Sequence, residues 1–385
     1  MIVLLNLWTS FDSGLAIEGV FYRFQSALKK DLNLNDSATP YANSSDALFV
    51  DVADDRLLLY DSLRDEQVAI TDRRLLYKLL NHLQITKNYK YIICDLYFDV
   101  ATAQDDSLKN VFERMEHISY PSELENKSAV FKQNDIARAG YTSYNYLRWF
   151  KLSDDLLKFR LVSRKGEKSL PLLVFEDLAG EQLRSHGAFL RFGKNKYLTN
   201  TINIDDHIAS KDLIEDQTSQ VFKLRHLVNL LNFSDINTAK SITQNKIILI
   251  GDFKNDLHPT AFGDMPGILI MYNLIISLLS GDNAISVSWV LFILMSFTTL
   301  SYFAFFVKSK KLDWIQGKFN NILGAIAGRI TTNGLAIYLI SLVSYLLFDK
   351  NIEIIALSIW MTVIEYVLKK VRGDDADLYQ TKDEY

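Results

Sequence analysis

Acidic residues directly follow three short apolar runs of this 385-residue chain, and they are the residues best placed to do chemistry. They are Asp54, Asp95 and Asp252, and two further polar residues, Asp256 and His258, come shortly after the third. Carboxylates that converge repel one another unless a cation or a hydrogen-bond donor joins them. The pattern therefore predicts a pocket for a cation or a polar ligand, without identifying a metal.

A structural role for the same residues is the alternative. Each acid can instead cap a turn or a helix start by accepting hydrogen bonds from loop amide groups. Arg73 is the sixth candidate ligand-binding residue, and it can equally form a structural ion pair with Asp54 or Asp95.

The three apolar runs are rich in β-branched residues and are typical of strands buried on both faces of a parallel sheet. They cover residues 47–53, 90–94 and 246–251. Between the first two, leucines at helical spacing in Thr71–Leu83 predict a helix and hence a strand–helix–strand unit. The carboxyl ends of parallel strands share one edge of a sheet, where such folds bind ligands. We therefore expect an α/β domain with a mostly parallel sheet and flanking helices.

Further elements follow from local signals. Residues 158–163 and 197–204 are predicted to be antiparallel strands. Residues 169–180 are predicted to be a helix, because Pro171 stands in its first turn and Gly180 ends it. The apolar residues 267–280 predict a helix too short to cross a bilayer, ending at Gly281.

Apolar segments near the C-terminus predict three transmembrane helices. No charged residue occurs in 283–307 or in 330–348, and a shorter run follows at 354–364. We expect spans at about 286–307, 329–348 and 352–369, together forming a transmembrane region 283–370. The third run has an alternative interpretation as a helix that lies at the membrane surface.

Basic residues indicate the orientation of these spans. Lys308, Lys310 and Lys311 follow the first span, and Lys369 and Lys370 follow the third. Because basic loops stay in the cytoplasm, the tail 371–385 is predicted to be cytoplasmic and the domain 21–282 extracytoplasmic. The expected location is a bacterial inner membrane, with a multi-pass protein and a periplasmic N-terminal domain.

Residues 1–20 are interpreted as the end of an N-terminal anchor and its connector. The apolar residues 1–8 are too few to span a bilayer, and no basic residue precedes them. We expect the anchor to begin upstream of Met1. The alternative is that the first predicted span acts as a late internal signal.

Composition excludes several function classes. The net charge is −4 and no basic patch is present, so a nucleic acid is not an expected partner. The single cysteine, Cys94, cannot form an intrachain disulfide. The sequence has no glycine-rich phosphate loop, no nucleophile elbow and no zinc-protease helix, and we expect neither an enzyme nor a cofactor.

Five short motifs carry a resemblance to a known family. They are Asp54–Asp55, Asp95–Phe98, Lys246–Gly251, Asp256–Pro259 and Met265–Gly267. Together with the three predicted spans, this pattern resembles the second type of CHASE domain, the cyclase/histidine-kinase-associated sensing extracellular module of bacteria. Within these motifs Gly251, Pro259, Met265, Pro266 and Gly267 are expected to be structural.

The chain departs from the family at three places. The family's Trp-Pro-Trp-Pro-Arg entry to the first helix is here Ala69–Arg73, and its His-Ala-Asn stretch is here Met271–Asn273. Relatives usually continue into an output domain. This chain ends about fifteen residues after its last predicted span, so the expected output lies in another polypeptide.

The resemblance implies a sensor of an unknown extracytoplasmic cue. Its expected partners are the lipid bilayer and an unidentified membrane or cytoplasmic signalling protein, and a homodimer is a candidate assembly. The alternative is an accessory envelope subunit that docks or anchors another membrane protein without binding a ligand.

Overall fold

The computed structural model describes residues 16–32, 44–61, 65–98, 100–121, 139–142, 156–163, 165–186, 189–192, 196–215, 221–234, 236–306 and 322–352, and single positions or short stretches of 354–367. The described chain forms two compact units. The first consists of described residues within 36–147 and 154–283, and the second of those within 1–35 and 284–385.

Fifteen strands are assigned in the described residues, all of them in the first unit. They are β1 Ala47–Asp51, β2 Arg56–Asp61, β3 Glu66–Thr71, β4 Tyr91–Cys94, β5 Ile118–Pro121, β6 Ala139–Gly140, β7 Lys158–Arg160, β8 Arg184–His186, β9 Phe189–Phe192, β10 Lys196–Leu198, β11 Thr201–Asn203, β12 Val221–Lys223, β13 Ile247–Gly251, β14 Leu257–Thr260 and β15 Gly263–Pro266.

The helices of the described residues are shared between the two units. They are α1 Ala16–Asp31, α2 Arg73–Thr86, α3 Asp105–Arg114, α4 Leu170–Ala179, α5 Ser210–Glu215, α6 Leu224–Phe233, α7 Ile236–Thr243, α8 Gly267–Ser280, α9 Val287–Phe306 and α10 Ile322–Phe348. Helices α1, α9 and α10 belong to the second unit.

A six-stranded sheet with strand order β12-β1-β13-β4-β5-β6 is the centre of the first unit. Every neighbouring pair in it is parallel. The predicted α/β fold with a mostly parallel sheet and flanking helices is therefore confirmed. The predicted strand–helix–strand unit is β1–α2–β4, with β13 inserted between its two strands.

Helices cover both faces of this sheet, so its central strands are buried on both sides. On one face, Leu48 and Val50 of β1 join a core with α2, α3, α6 and α7. On the other face, the ring of Phe49 meets that of Tyr272 of α8 edge-on, with centroids 6.2 Å apart. Burial of each such side chain contributes roughly 1.5–3 kcal/mol, so the sheet is held firmly from both sides.

Helix α8 was predicted with the correct bounds, and it is buried from Gly267 to Leu278. It packs against α4 and β13. Gly281 ends the helix in the left-handed conformation with φ of 77°, which an L side chain rarely adopts. The predicted helix at 169–180 is α4, and the predicted antiparallel strands are β7 and β11.

A hairpin of β2 and β3 follows β1 and was not predicted. It forms a two-stranded antiparallel sheet of its own. Leu58 and Tyr60 are 69% and 63% exposed, although both are large and apolar. Strands exposed on both faces lack the alternation of polar and apolar residues by which strands are usually found in a sequence.

The second unit holds its described helices together by polar contacts inside an apolar core. The indole Nε1 of Trp289 donates to Ser344 Oγ at 2.8 Å, and Gln25 Nε2 donates to Ser341 Oγ at 3.2 Å. Lys29 of α1 pairs with Asp349. Along α10, hydrogen bonds of the buried Ser341 and Ser344 hydroxyl groups thus stand beside the apolar contacts of the core.

The prediction of transmembrane helices at about 286–307, 329–348 and 352–369 is wrong. Within the described part of the chain, no helix combines the length and the apolar character that crossing a bilayer requires. The prediction relied on the absence of charge in these runs. The multi-pass location that rested on these helices is therefore not supported.

Parts of the sequence interpretation lie outside the described residues. These are residues 1–15 of the predicted anchor, the tail 371–385, and parts of the run at 352–369. The predicted domain bounds as a whole stay a prediction.

Candidate functional site

Aspartates lie at the carboxyl ends of three adjacent strands of the central sheet. Asp51 ends β1, Asp252 directly follows β13 and Asp95 directly follows β4. Backbone hydrogen bonds align these ends, since Val52 N donates to Gly251 O at 3.0 Å. The parallel register therefore brings Asp95 and Asp252 to one edge, as the sequence predicts.

Asp252 is occupied by its own loop. Its Oδ1 accepts hydrogen bonds from the backbone N–H groups of Lys254 at 3.0 Å and Asn255 at 2.8 Å. The guanidinium of Arg56 pairs with its other oxygen. Asp252 thus caps a turn and pairs with a cation of the hairpin, which is the structural alternative rather than a ligand contact.

Asp54 is compensated by two lysines. The ammonium groups of Lys223 and Lys254 each lie 2.7 Å from its carboxylate. These hydrogen bonds lower the pKa of Asp54 to about 2. Its neighbour Asp55 is the buried member of the pair, and it accepts hydrogen bonds from the N–H and the side chain of Arg225.

Arg73 forms a buried ion pair, but with neither of the partners proposed for it. It is 3% exposed and pairs with Asp105 at the start of α3. Its guanidinium carbon lies 5.1 Å from the centroid of the Phe98 ring. The ion pair joins the first turns of α2 and α3, and the cation–π contact adds Phe98, which precedes α3.

Asp95, Asp256 and His258 form the cluster that remains, around the first residue of α8. The ring Nε2 of His258 lies 2.9 Å from Asp256 Oδ1. A Cβ built on Gly267 would lie 2.4 Å from Asp256 Oδ2 and 3.3 Å from Asp95 Oδ2. The two carboxylates therefore share one small space, and only glycine fits at the start of the helix there.

Electrostatics make Asp95 the unusual member of this cluster. Burial and then the charge of Asp256 raise the pKa of Asp95 to about 7, against an opposing effect of His258. A hydrogen bond with Asp256 raises the pKa of His258, although burial opposes it. Among the described residues, no group donates a hydrogen bond to the Asp95 carboxyl. Asp95 is thus poised to change protonation near neutral pH.

The residues that the sequence predicts to be structural lie around the start of α8. A Cβ on Gly251 would lie 2.8 Å from Ile268, so this glycine lets α8 approach β13. The N–H of Gly267 donates to Asp256 O at 2.9 Å, directly after Pro266 at the N-cap. Pro259 O accepts from Leu156 N at 2.7 Å, and Met265 stands opposite His258 in the β14–β15 ladder.

Within the described ranges, no group of three or more histidine, cysteine, aspartate or glutamate side chains is arranged to hold a metal ion.

A second histidine cluster was missed at the other end of α8. The Nε2 of His207 lies 2.9 Å from Ser277 Oγ and 3.2 Å from Asp282 Oδ2. The signal in the sequence is the run Asp205-Asp206-His207, in which two acids precede the histidine. Its partners lie in a distant part of the chain, so spacing alone did not reveal the cluster.

A parallel sheet with helices on both faces defines a domain of the α/β class, in which ligands generally bind at the carboxyl edge of the sheet. The family model of the CHASE2 domain matches residues 14–306, most of the chain, and the chain belongs to this family. No curated protein and no solved structure matches the chain. CHASE2 domains are extracellular sensory domains, which agrees with the predicted extracytoplasmic location of the N-terminal domain and with a role in signal transduction.

Proposed function

We propose that this chain is an extracytoplasmic sensor in which the Asp95–Asp256–His258 cluster reads the cue and α8 transmits it. The proposed role is binding rather than catalysis. The observation that carries it is the closeness of two carboxylates to Gly267, the first residue of a buried helix. A cue that changes the charge or position of either carboxylate acts directly on the start of α8.

The chemistry of the cluster indicates what kind of cue it accepts. Asp256 is 44% exposed at its side chain, so the cluster can be reached from solvent. The two carboxylates repel each other, and Asp95 has no donor among the described residues. A small molecule that donates hydrogen bonds or carries positive charge would relieve that repulsion. We propose this class of polar ligand.

Helix α8 is suited to transmit such a change because it is buried and continuous. Near its middle, Asn273 Oδ1 accepts from Ile208 N at 3.0 Å and its Nδ2 donates to Ile208 O at 3.0 Å. Its last turn contacts His207. Through these contacts, a shift at Gly267 would act on His207 and Ile208. The proposed output is a changed contact with a separate signalling protein.

Amide hydrogen exchange on the full chain tests the proposal. Asp256→Asn removes one charge of the cluster with little change of shape, and we expect several-fold altered exchange in peptides covering 277–283. Asp54→Asn is the matched control, since it neutralises an exposed aspartate near the same edge of the sheet. A change confined to residues near 256–268 would show that α8 does not transmit, and would contradict the proposal.

One observation favours a second function, that of an accessory subunit that docks another protein. The β2–β3 hairpin exposes Leu58 and Tyr60, and isolated hairpins are only marginally stable in water. Affinity purification of the full chain, with Leu58→Ser as the variant, distinguishes the two. A stoichiometric partner that is lost in the variant, without any response of α8 to Asp256→Asn, would favour the accessory role.

A further inference from the structure

His207 joins the loop after β11 to the last turn of α8. Its Nε2 lies within hydrogen-bond distance of Ser277 Oγ, at 2.9 Å, and of Asp282 Oδ2, at 3.2 Å. Side-chain exposures of 18% for His207 and 21% for Asp282 leave the pair mostly shielded from water. Asp282 directly follows Gly281, the residue that ends the helix.

The same loop has a second attachment to α8 that does not titrate. Asn273 and the backbone of Ile208 exchange two hydrogen bonds, both buried and both 3.0 Å long. The loop therefore stays on α8 whatever the protonation state of His207. Only the contact at the last turn depends on that state.

Within the described residues, the charged groups that act on His207 are three aspartates. Asp205 and Asp206 belong to its own loop, and Asp282 comes from the end of α8. The helix end adds partial negative charge from its free carbonyl groups. Burial lowers the pKa of His207, but the hydrogen bond to Asp282 and the three aspartates outweigh burial and raise it.

We propose that His207 is a pH-sensitive latch that holds the last turn of α8 and the chain segment leaving it. The protonated ring donates from Nε2 toward Asp282. After deprotonation, Nε2 either keeps its hydrogen as an uncharged donor or accepts from the Ser277 hydroxyl, and in the second case it faces Asp282 with a lone pair. The charge attraction is lost in both cases.

The direction of the response follows from the raised pKa. The stabilisation is complete below the ordinary histidine pKa of 6.5 and is lost as pH rises through the folded-state value. The latch is therefore closed in mildly acidic surroundings and opens on the alkaline side. This inference concerns the end of α8 opposite to the proposed cue site and does not depend on it.

Two measurements on the full chain test the latch. With six histidines in the chain, NMR of the imidazole rings can follow each one, and His207→Gln identifies the signal of His207. We expect that signal to titrate above the ordinary histidine value. The protection factors of amides 277–283, which correct for the intrinsic pH dependence of exchange, should fall about two- to fivefold on the alkaline side, as expected for loss of a cation at a helix C-terminus.

The matched control is His226→Gln, which removes an exposed histidine of α6. It should keep the wild-type pH response, whereas His207→Gln should show the low protection factors at both pH values. If His207→Gln does not fold, Asp282→Asn replaces it and should move the His207 titration to lower pH. A His207 signal that titrates below the ordinary value, or protection factors of 277–283 that stay constant with pH in the wild type, would overturn the latch.

Discussion

The two ends of α8 carry the same pair of residue types, a histidine beside an aspartate, in opposite electrostatic settings. At the first turn, His258 and Asp256 share their space with Asp95, near the positive end of the helix dipole. At the last turn, His207 and Asp282 lie near the negative end. Asp95 and Asp256 therefore give the first end an excess of negative charge. At the second end, protonated His207 is attracted both by Asp282 and by the negative end of the helix dipole.

The two ends thus differ in the hydrogen-bond partners of their titratable groups. Asp95 has no hydrogen-bond donor within the described residues, and its pKa is raised to about 7. His207 has two polar contacts. In the function we propose, the Asp95 end of α8 receives the cue and the His207 end passes it on. Three substitutions can sharpen this comparison, and they follow from the largest expected effect to the smallest.

Gly267→Ala should have the largest effect. The added methyl group would lie 2.4 Å from Asp256 Oδ2, closer than side-chain atoms approach, so the carboxylates or the helix must move. We expect a loss of about 3 kcal/mol in the free energy of unfolding, typical of overpacking. Urea denaturation followed by circular dichroism measures it.

Gly334→Ala in α10 is the control for that change. Its added methyl group would lie at an ordinary contact distance of 3.4 Å from Ser358 Oγ. Alanine also has the higher helix propensity, so stability should stay equal or rise by less than about 1 kcal/mol. Equal destabilisation by both substitutions would show that the first turn of α8 is not specially crowded.

Asp95→Asn should stabilise the protein above neutral pH. The pKa of Asp95 is higher in the folded state, about 7, than its ordinary 3.8, so the folded state binds the proton more tightly. Its favourable contribution is therefore present below 3.8 and is lost as pH rises to about 7. The full difference corresponds to roughly 4 kcal/mol, and we expect the variant to recover about 2 kcal/mol.

Denaturation curves at several pH values measure this effect. The wild type should lose stability between mildly acidic and neutral pH, and the variant should lose less. A variant that is less stable than the wild type on the alkaline side would mean that the Asp95 charge is favourable, contrary to its description as an unsatisfied carboxylate.

Asp54→Asn should have the smallest effect. Its carboxylate is exposed and its two lysine partners stay in water, so the surface ion pairs contribute little. Unfolding at neutral pH should be unchanged within error. A clear loss of stability would assign the Asp54–Lys223–Lys254 contacts a role that their exposure does not explain.

The sequence revealed the centre of the fold because its signals there are local. The β-branched runs of β1, β4 and β13 and the leucine spacing of α2 each predict one element, and the parallel sheet then places Asp95 and Asp252 at one edge. The β2–β3 hairpin was not predicted because it is exposed on both faces. Strand β12, which carries Lys223 toward Asp54, was not predicted because it is only three residues long.

Pairings between distant residues could not be predicted in the same way. The sequence grouped five polar residues. It could not show that Lys223 and Lys254 compensate Asp54, or that Arg56 compensates Asp252. These pairings leave Asp95 with Asp256 and His258. It also could not bring His207 to Asp282. The three predicted membrane spans rested on uncharged runs, and the described part of the chain contains no helix that is long and apolar enough to be a span.

The transmission along α8 is the central claim, and NMR titration of His207 in the presence and absence of the Asp95 charge tests it most directly. The ring signal of His207 should be recorded from about pH 5 to about pH 9 in the wild type and in Asp95→Asn. We predict that the wild-type curve contains a second inflection at the pKa of Asp95 and that the variant lacks it. Identical His207 curves in the two proteins would contradict the account, because the two ends of α8 would then be independent.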